Sequence, residues 1–123
     1  MKALGRHLLA EMSGCDPALL SDLKHITQAM LGAAEASGAT VITHNFHHFS
    51  PLGVSGAVII AESHLAIHTW PEYRFAAVDL FTCVDRVQPR KALLLLKEGL
   101  RCEDLEILEY ERGPLRQLDL CHL

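Results

Sequence analysis

The 123 residues suffice for one compact domain and not for two ordinary ones, and half of them are hydrophobic against 21% charged, which excludes a disordered chain. A formal net charge of -4 with no long basic run argues against a nucleic-acid-binding surface. No apolar run approaches the ~20 residues that span a bilayer. The pattern opens on "LGRHLLAEM", which reads as a first strand. "CDPALLSDLKHITQAMLGAAEASG" reads as one helix, with Asp16 placed to cap it and Pro17 suited to its first position. Leu19, Leu20, Leu23, Ile26, Met30, Leu31 and Ala34 recur on one face, and Gly38 supplies the stop. "ATVITHNFHHF", "VSGAVIIA", "HLAIHTW" and "FAAVDLFTC" read as four strands, with "SPLG" as a turn between the first two. "VQPRKALLLLKEGLR" is a second helix, with Pro89 near its start, and "DLEILEYER" a last strand; the tail after it is ambiguous.

Strands that follow one another closely pair as hairpins. The order therefore predicts an α+β fold: a single domain over residues 1–123, a two-layer sandwich with an antiparallel or mixed sheet and two helices on one face. The other face of such a sheet is solvated or covered by a second subunit. Ala, Val and aromatic residues on both strand faces favour a dimer.

The four cysteines, Cys15, Cys83, Cys102 and Cys121, form no CxxC pair, and their spacing suggests no zinc site. The N-terminus lacks a secretion signal, so a reduced, cytoplasmic protein is expected, with no nucleic acid and no membrane among its partners.

Reactive side chains concentrate in "AESHLAIHTWPEY", residues 61–73. On a strand, His64, Ala66, His68 and Trp70 share one face, and Leu65, Ile67 and Thr69 the other. In the next strand Phe75, Ala77, Asp79, Phe81 and Cys83 share a face, so a hairpin through "PEYR" would allow His68 and Cys83 to meet. Taken singly, each residue has an ordinary reading: a surface histidine, a turn serine before a strand, a small buried thiol, a core tryptophan. Metal ligation by the histidines, including His44, His47 and His48 of "HNFHH", lacks a convincing acidic or cysteine partner, and no metal is expected.

Together, "GVSGAVIIAESHLAIHTWPEY" and the following "DLFTC" closely resemble the small prokaryotic S-adenosylmethionine decarboxylases, which make their own pyruvoyl cofactor. The resemblance begins at "GRHLLAE", continues through "SGAT" and "FHHFSPLGVSG", and ends near "ERG". It implies self-cleavage between Glu62 and Ser63, giving a β chain of residues 1–62 and an α chain of residues 63–123. The Ser63 hydroxyl would attack the Glu62 carbonyl carbon, turning the peptide bond into an ester. This shift is uphill for an ordinary peptide and requires strain or a stabilised oxyanion. Removal of the α-proton of residue 63 would then expel the Glu62 carboxylate and leave dehydroalanine, which hydrolyses to a pyruvoyl group and ammonia. The resemblance assigns that proton to His68, whose neutral imidazole suits a base near pH 7, and processing by hydrogen bonding to Ser55. It assigns Cys83 as the acid that returns a proton to the substrate after carbon dioxide leaves. A ketone is needed because decarboxylation leaves an electron pair that none of the standard side chains can accept; it takes the role of pyridoxal phosphate.

The implied substrate, S-adenosylmethionine, carries a sulfonium cation and an adenine ring. Phe49 and Trp70 are the candidates to hold them by cation–π attraction and stacking, and Glu72 to accept from the ribose hydroxyls. The implied product is the aminopropyl donor for spermidine. The implied assembly is a homodimer with sites at or near the interface, where Phe49 serves the neighbouring subunit. Val84 stands where a glycine is common in the family, and Arg74 where a small residue is common. The alternatives are a relative acting on arginine or ornithine, and an uncleaved homologue with a regulatory or metal-binding role.

Overall fold

A computed structural model describes residues 2–119. The elements in chain order are β1(Ala3–Ser13), α1(Pro17–Leu20), α2(Leu23–Ala36), β2(Val41–His48), β3(Val54–Ile60), β4(Ser63–Trp70), β5(Phe75–Thr82), α3(Pro89–Gly99), β6(Asp104–Pro114) and α4(Leu115–Asp119). A 3-10 turn over Pro71–Tyr73 joins β4 to β5. The six strands form one sheet in the order β2-β3-β4-β5-β1-β6, and every neighbouring pair is antiparallel. The two main helices, α2 and α3, lie against one face. The expected two-layer α+β sandwich is thus observed, with the sheet fully antiparallel.

The expected first helix is two helices. Asp22 accepts a hydrogen bond from the His25 backbone N–H at 3.0 Å and starts α2, while Asp16 accepts from the Ala18 N–H at 2.9 Å and starts α1. A side chain that satisfies a free helical N–H competes with continuing the preceding turn, which ends the first helix after Leu20. The break moves Leu23 off the inner face, and it is exposed; Ile26, Met30, Ala33 and Ala34 are the buried set.

Strand alternation builds the core. Leu8, Ala10 and Met12 of β1, Val58 of β3, Leu65 and Ile67 of β4, and Val78 and Leu80 of β5 point at the helices and are buried with Ala92, Leu93 and Leu96 of α3. The opposite set points away from the helices: His64, Ala66, His68 and Trp70 of β4, and Phe75, Ala77, Asp79 and Phe81 of β5. This open face also carries Ile59, Leu108 and Tyr110, which with Trp70 are exposed large apolar side chains. Such a surface is out of keeping with a face left to water. No helix among the described residues is long and apolar enough to cross a membrane.

Arg74, after the 3-10 turn, has φ 54, a left-handed conformation that explains why a small residue suits this position. Val84 is not among the residues of positive φ; it needs no glycine and packs against the edge of the core.

Candidate active site

The turn from β3 into β4 is made by Ala61 and Glu62. Its geometry is unusual at two adjacent residues. Ser63, the first residue of β4, has φ 150, a value that L-residues adopt only under strain. Glu62 is only 3% exposed. Its carbonyl oxygen accepts from the Cys83 backbone N–H at 3.1 Å and from the Cys83 Sγ at 3.3 Å. Its carboxylate accepts from the Thr40 N–H at 3.0 Å and pairs with the Arg86 guanidinium. Two donors therefore converge on the one carbonyl oxygen that would become negative if the Ser63 hydroxyl attacked it.

Ser63 lies opposite Thr82 in the β4–β5 ladder, so Cys83 follows directly beside it. His68 and Ser55 lie on the open face, at the other end of β4 and β3. They are cross-strand partners, and Ser55 Oγ lies 2.8 Å from His68 Nδ1. Phe49, Trp70 and Glu72 belong to this end as well. Phe49 stacks edge-on against His47, at 4.7 Å between ring centroids, and Trp70 leans on Phe75 at 5.8 Å. Phe49, Trp70 and Glu72 are all exposed.

The predicted site residues thus fall into two groups. The expectation that His68 and Cys83 meet is overturned by the register: His68 faces Ala77, six residues before Cys83, a separation of ~20 Å along the strand. His68 is likewise five residues from Ser63, ~17 Å. Each group borders its own hollow. One of about 180 Å³ is lined by Lys2, Gly5, Arg6, Thr82, Cys83 and Glu111. The other, of about 340 Å³, is lined by Asn45, His47, Ser55, Ala57, Ala66 and His68.

Between the groups runs a polar chain that sequence reasoning missed. Asp79 Oδ2 lies 2.8 Å from both His7 Nε2 and His64 Nε2. Arg112 Nη1 lies 2.8 Å from His7 Nδ1 and can only donate, so His7 carries its proton on Nε2 and gives it to Asp79. Phe81 packs against both histidines, with Arg112 over its ring. Burial pushes the Asp79 carboxyl up, but hydrogen bonds from His7 and His64, with the electrostatic pull of the two rings, outweigh it, and the net shift is downward. The donor atoms of His7, His64 and Asp79 lie within 4.8 Å of one another, a spacing open to a metal ion, so the fold supplies His64 with the acidic neighbour that the sequence pattern did not reveal. In "HNFHH", alternation sends His44 and His48 to the helix side and His47 to the open face, so these three do not converge. Elsewhere, burial and then the neighbouring Cys102 push the Cys15 thiol up to about 12, leaving it an inert core group.

The family model described as S-adenosylmethionine decarboxylase matches residues 6–113. A protein of Acidithiobacillus ferrooxidans named S-adenosylmethionine decarboxylase proenzyme is 54% identical over 115 residues, which cover 94% of this chain and 86% of that one. One of the same name from Thermotoga maritima is 54% identical over 120 residues, covering 98% and 92%. The solved structure of the adenosylmethionine decarboxylase from Aquifex aeolicus superimposes with a TM-score of 0.85 at 34% identity, covering 92% of this chain and 93% of that one.

Proposed function

The chain belongs to the S-adenosylmethionine decarboxylase family, and on that premise we propose that it cuts its own main chain between Glu62 and Ser63 and decarboxylates S-adenosylmethionine with the pyruvoyl group so formed. The observation that carries this reading is the Glu62 carbonyl, gripped by the Cys83 N–H and Sγ and followed by a strained Ser63. Strain raises the peptide's energy, and the Cys83 donors lower that of the oxyanion, so both act in the direction of the acyl shift.

The next step needs a base at the Ser63 α-proton. His68 of the same chain is ~17 Å away along its strand and cannot reach. The base is His68 of a second copy. Two sheets stacked through their open faces lie ~10 Å apart. A two-fold axis between them, running across the strands, lays the Ser63 end of one on the His68 end of the other. The exposed Ile59, Trp70, Leu108 and Tyr110 support this homodimer, since stacking removes them from water. Ser55 then has a defined task. For His68 to take a proton at Nε2, its Nδ1–H donates to Ser55 Oγ, which fixes the tautomer and leaves the serine's own O–H free to bond the intermediate.

When formed, the ketone accepts the electron pair left by the departing carboxylate. Cys83, beside residue 63, returns the proton to the substrate's α-carbon. Phe49 and Trp70 of the second copy stack on the adenine and face the sulfonium, and Glu72 accepts from the ribose hydroxyls. The two hollows join into one pocket across the interface. The product serves as an aminopropyl donor for spermidine. Exposed Cys83, and Cys15 and Cys102 unpaired, suit a reducing cytoplasm.

Intact mass spectrometry tests the reading. Two fragments parted at Glu62–Ser63, the second bearing a pyruvoyl N-terminus, together with carbon dioxide release from S-adenosylmethionine in preference to arginine or ornithine, are expected. A purified chain that stays whole overturns it.

A further inference from the structure

The Glu62 side chain takes no part in the chemistry described above, yet it is almost wholly buried. A carboxylate is costly to bury unless paired, so its burial has a use. Its partners are specific. Arg86 Nη2 donates to Oε2, and the Thr40 N–H donates to Oε1. Arg86 is fixed in turn, because Nη1 donates to the Gly38 carbonyl at 2.9 Å. Its side chain is otherwise 58% exposed.

Position in the chain gives the pairing meaning. Arg86 lies three residues after Cys83, and the loop that carries both is tied down two residues past Arg86 by the Gln88 N–H donating to the Ser37 carbonyl at 2.8 Å. One loop therefore grips residue 62 twice: Cys83 takes the backbone carbonyl, and Arg86 takes the side chain. The turn over Gly38–Thr40 closes the clamp from the opposite side, with the Ala61 N–H donating to the Thr40 carbonyl at 2.8 Å.

We propose that Arg86 is a positioning residue for self-cleavage, holding the Glu62 carboxylate so that the adjoining carbonyl stays seated on the Cys83 donors while the Ser63 hydroxyl adds to it; this rests on the cleavage reading above. Adding an oxygen to that carbon turns it from planar to tetrahedral and swings its oxygen. The side chain branches from the Cα next to the reacting carbon, so anchoring its carboxylate restricts how that residue can turn and where the oxygen can go. Without Arg86, the carboxylate is left buried with only the Thr40 N–H, and the residue relaxes outward, taking the carbonyl off its donors. Misplacement of a reacting group on this scale costs roughly tenfold to a hundredfold in rate.

The test follows cleavage of freshly translated precursor by intact mass over time, for the wild type, Arg86→Ala, Arg86→Lys, Glu62→Gln and the Glu62→Gln/Arg86→Ala double variant, with folding checked by circular dichroism. Arg86→Ala is expected to cleave at least about tenfold more slowly, and Arg86→Lys to recover part of the rate by supplying the charge without the fork. Guanidinium ion at millimolar concentration is expected to speed Arg86→Ala and leave the wild type unchanged, which a general loss of stability would not produce. Removing Arg86 from the Glu62→Gln background is expected to cost little, because the two act as a pair. Cleavage of Arg86→Ala within twofold of wild type, or equal loss from Arg86→Ala in both backgrounds, overturns the role of Arg86 and leaves the cleavage reading standing. If Arg86→Ala does not fold, Arg86→Gln, which keeps the length without the charge, takes its place, and its cleavage within twofold of wild type is the overturning result. A wild-type chain that never cleaves overturns both.

Discussion

The proposed division of the site between two copies can be tested by mixing two dead chains. Ser63→Ala has nothing to cleave but keeps His68. His68→Ala keeps Ser63 but lacks the base. On the geometry, the His68 imidazole is ~17 Å along β4 from Ser63 in its own chain, several times the reach of a proton transfer. Each variant alone should remain whole. In a mixed dimer, the His68→Ala chain meets an intact His68 from its partner and is cut, while the Ser63→Ala chain is not. Equal amounts assembling at random give about half mixed dimers, each with one cleavable chain, so about a quarter of all chains should be cut. Co-expression with two different affinity tags, followed by intact mass spectrometry, counts both fragments and reports which tag they carry. All of the fragments should carry the tag of the His68→Ala chain. Refutation would be a mixture that stays uncut although both tags co-purify, or a His68→Ala chain that cleaves alone at the wild-type rate.

Two further outcomes follow from the geometry. Asp79 has a folded-state value below its usual 3.8, so its contribution to stability is present above that value and is lost as pH falls through the lower, folded one. Asp79→Asn should therefore be less stable than wild type near pH 6, with the gap in urea midpoint closing on the way to pH 3; a gap independent of pH refutes the assignment. Arg74 sits in the left-handed region with no side-chain hydrogen bond or ion pair among the described residues. Arg74→Gly should gain about 1 kcal/mol in chemical denaturation, the order of the penalty for a side chain there, and an unchanged or lower midpoint refutes the strain.

What was legible in the sequence depended on how far apart the interacting residues lie. Alternation within β4 and β5 correctly assigned His64, His68 and Trp70 to one face and Leu65 and Ile67 to the other, because strand period is a local property. Register is not local. A hairpin of unspecified turn leaves the pairing free, and the 3-10 turn over Pro71–Tyr73 set His68 against Ala77 and left Cys83 at the far end. The same limit hid the polar chain, since His7 meets Asp79 only because β1 inserts beside β5. It also hid the Glu62–Arg86 pair, in which the partners are 24 residues apart. The helix break was local and nevertheless missed: Asp22 heads a hydrophobic run as a cap does, but the periodicity across it looks continuous.

The insertion of β1 also bears on what a cut at residue 62 would do to the fold. β1 belongs to the segment before Glu62, and its neighbours on both sides, β5 and β6, belong to the segment after it. β3 and β4 face each other across the cut as well. Each segment is therefore laced into the sheet by backbone hydrogen bonds to the other, and Leu8 and Met12 from the first share the core with Leu65, Ile67, Leu80 and Leu93 from the second. A break there would remove one covalent link beside residues that are already fixed, Ala61 by Thr40 and Glu62 by Cys83. It would relieve the strain at residue 63 without taking apart the ladders that bury the core. A sheet with β1 at its edge would hold the two segments through fewer ladders, so the crossover that carries β1 to the interior would let the proposed cut spend a peptide bond as a reagent while the site keeps its shape.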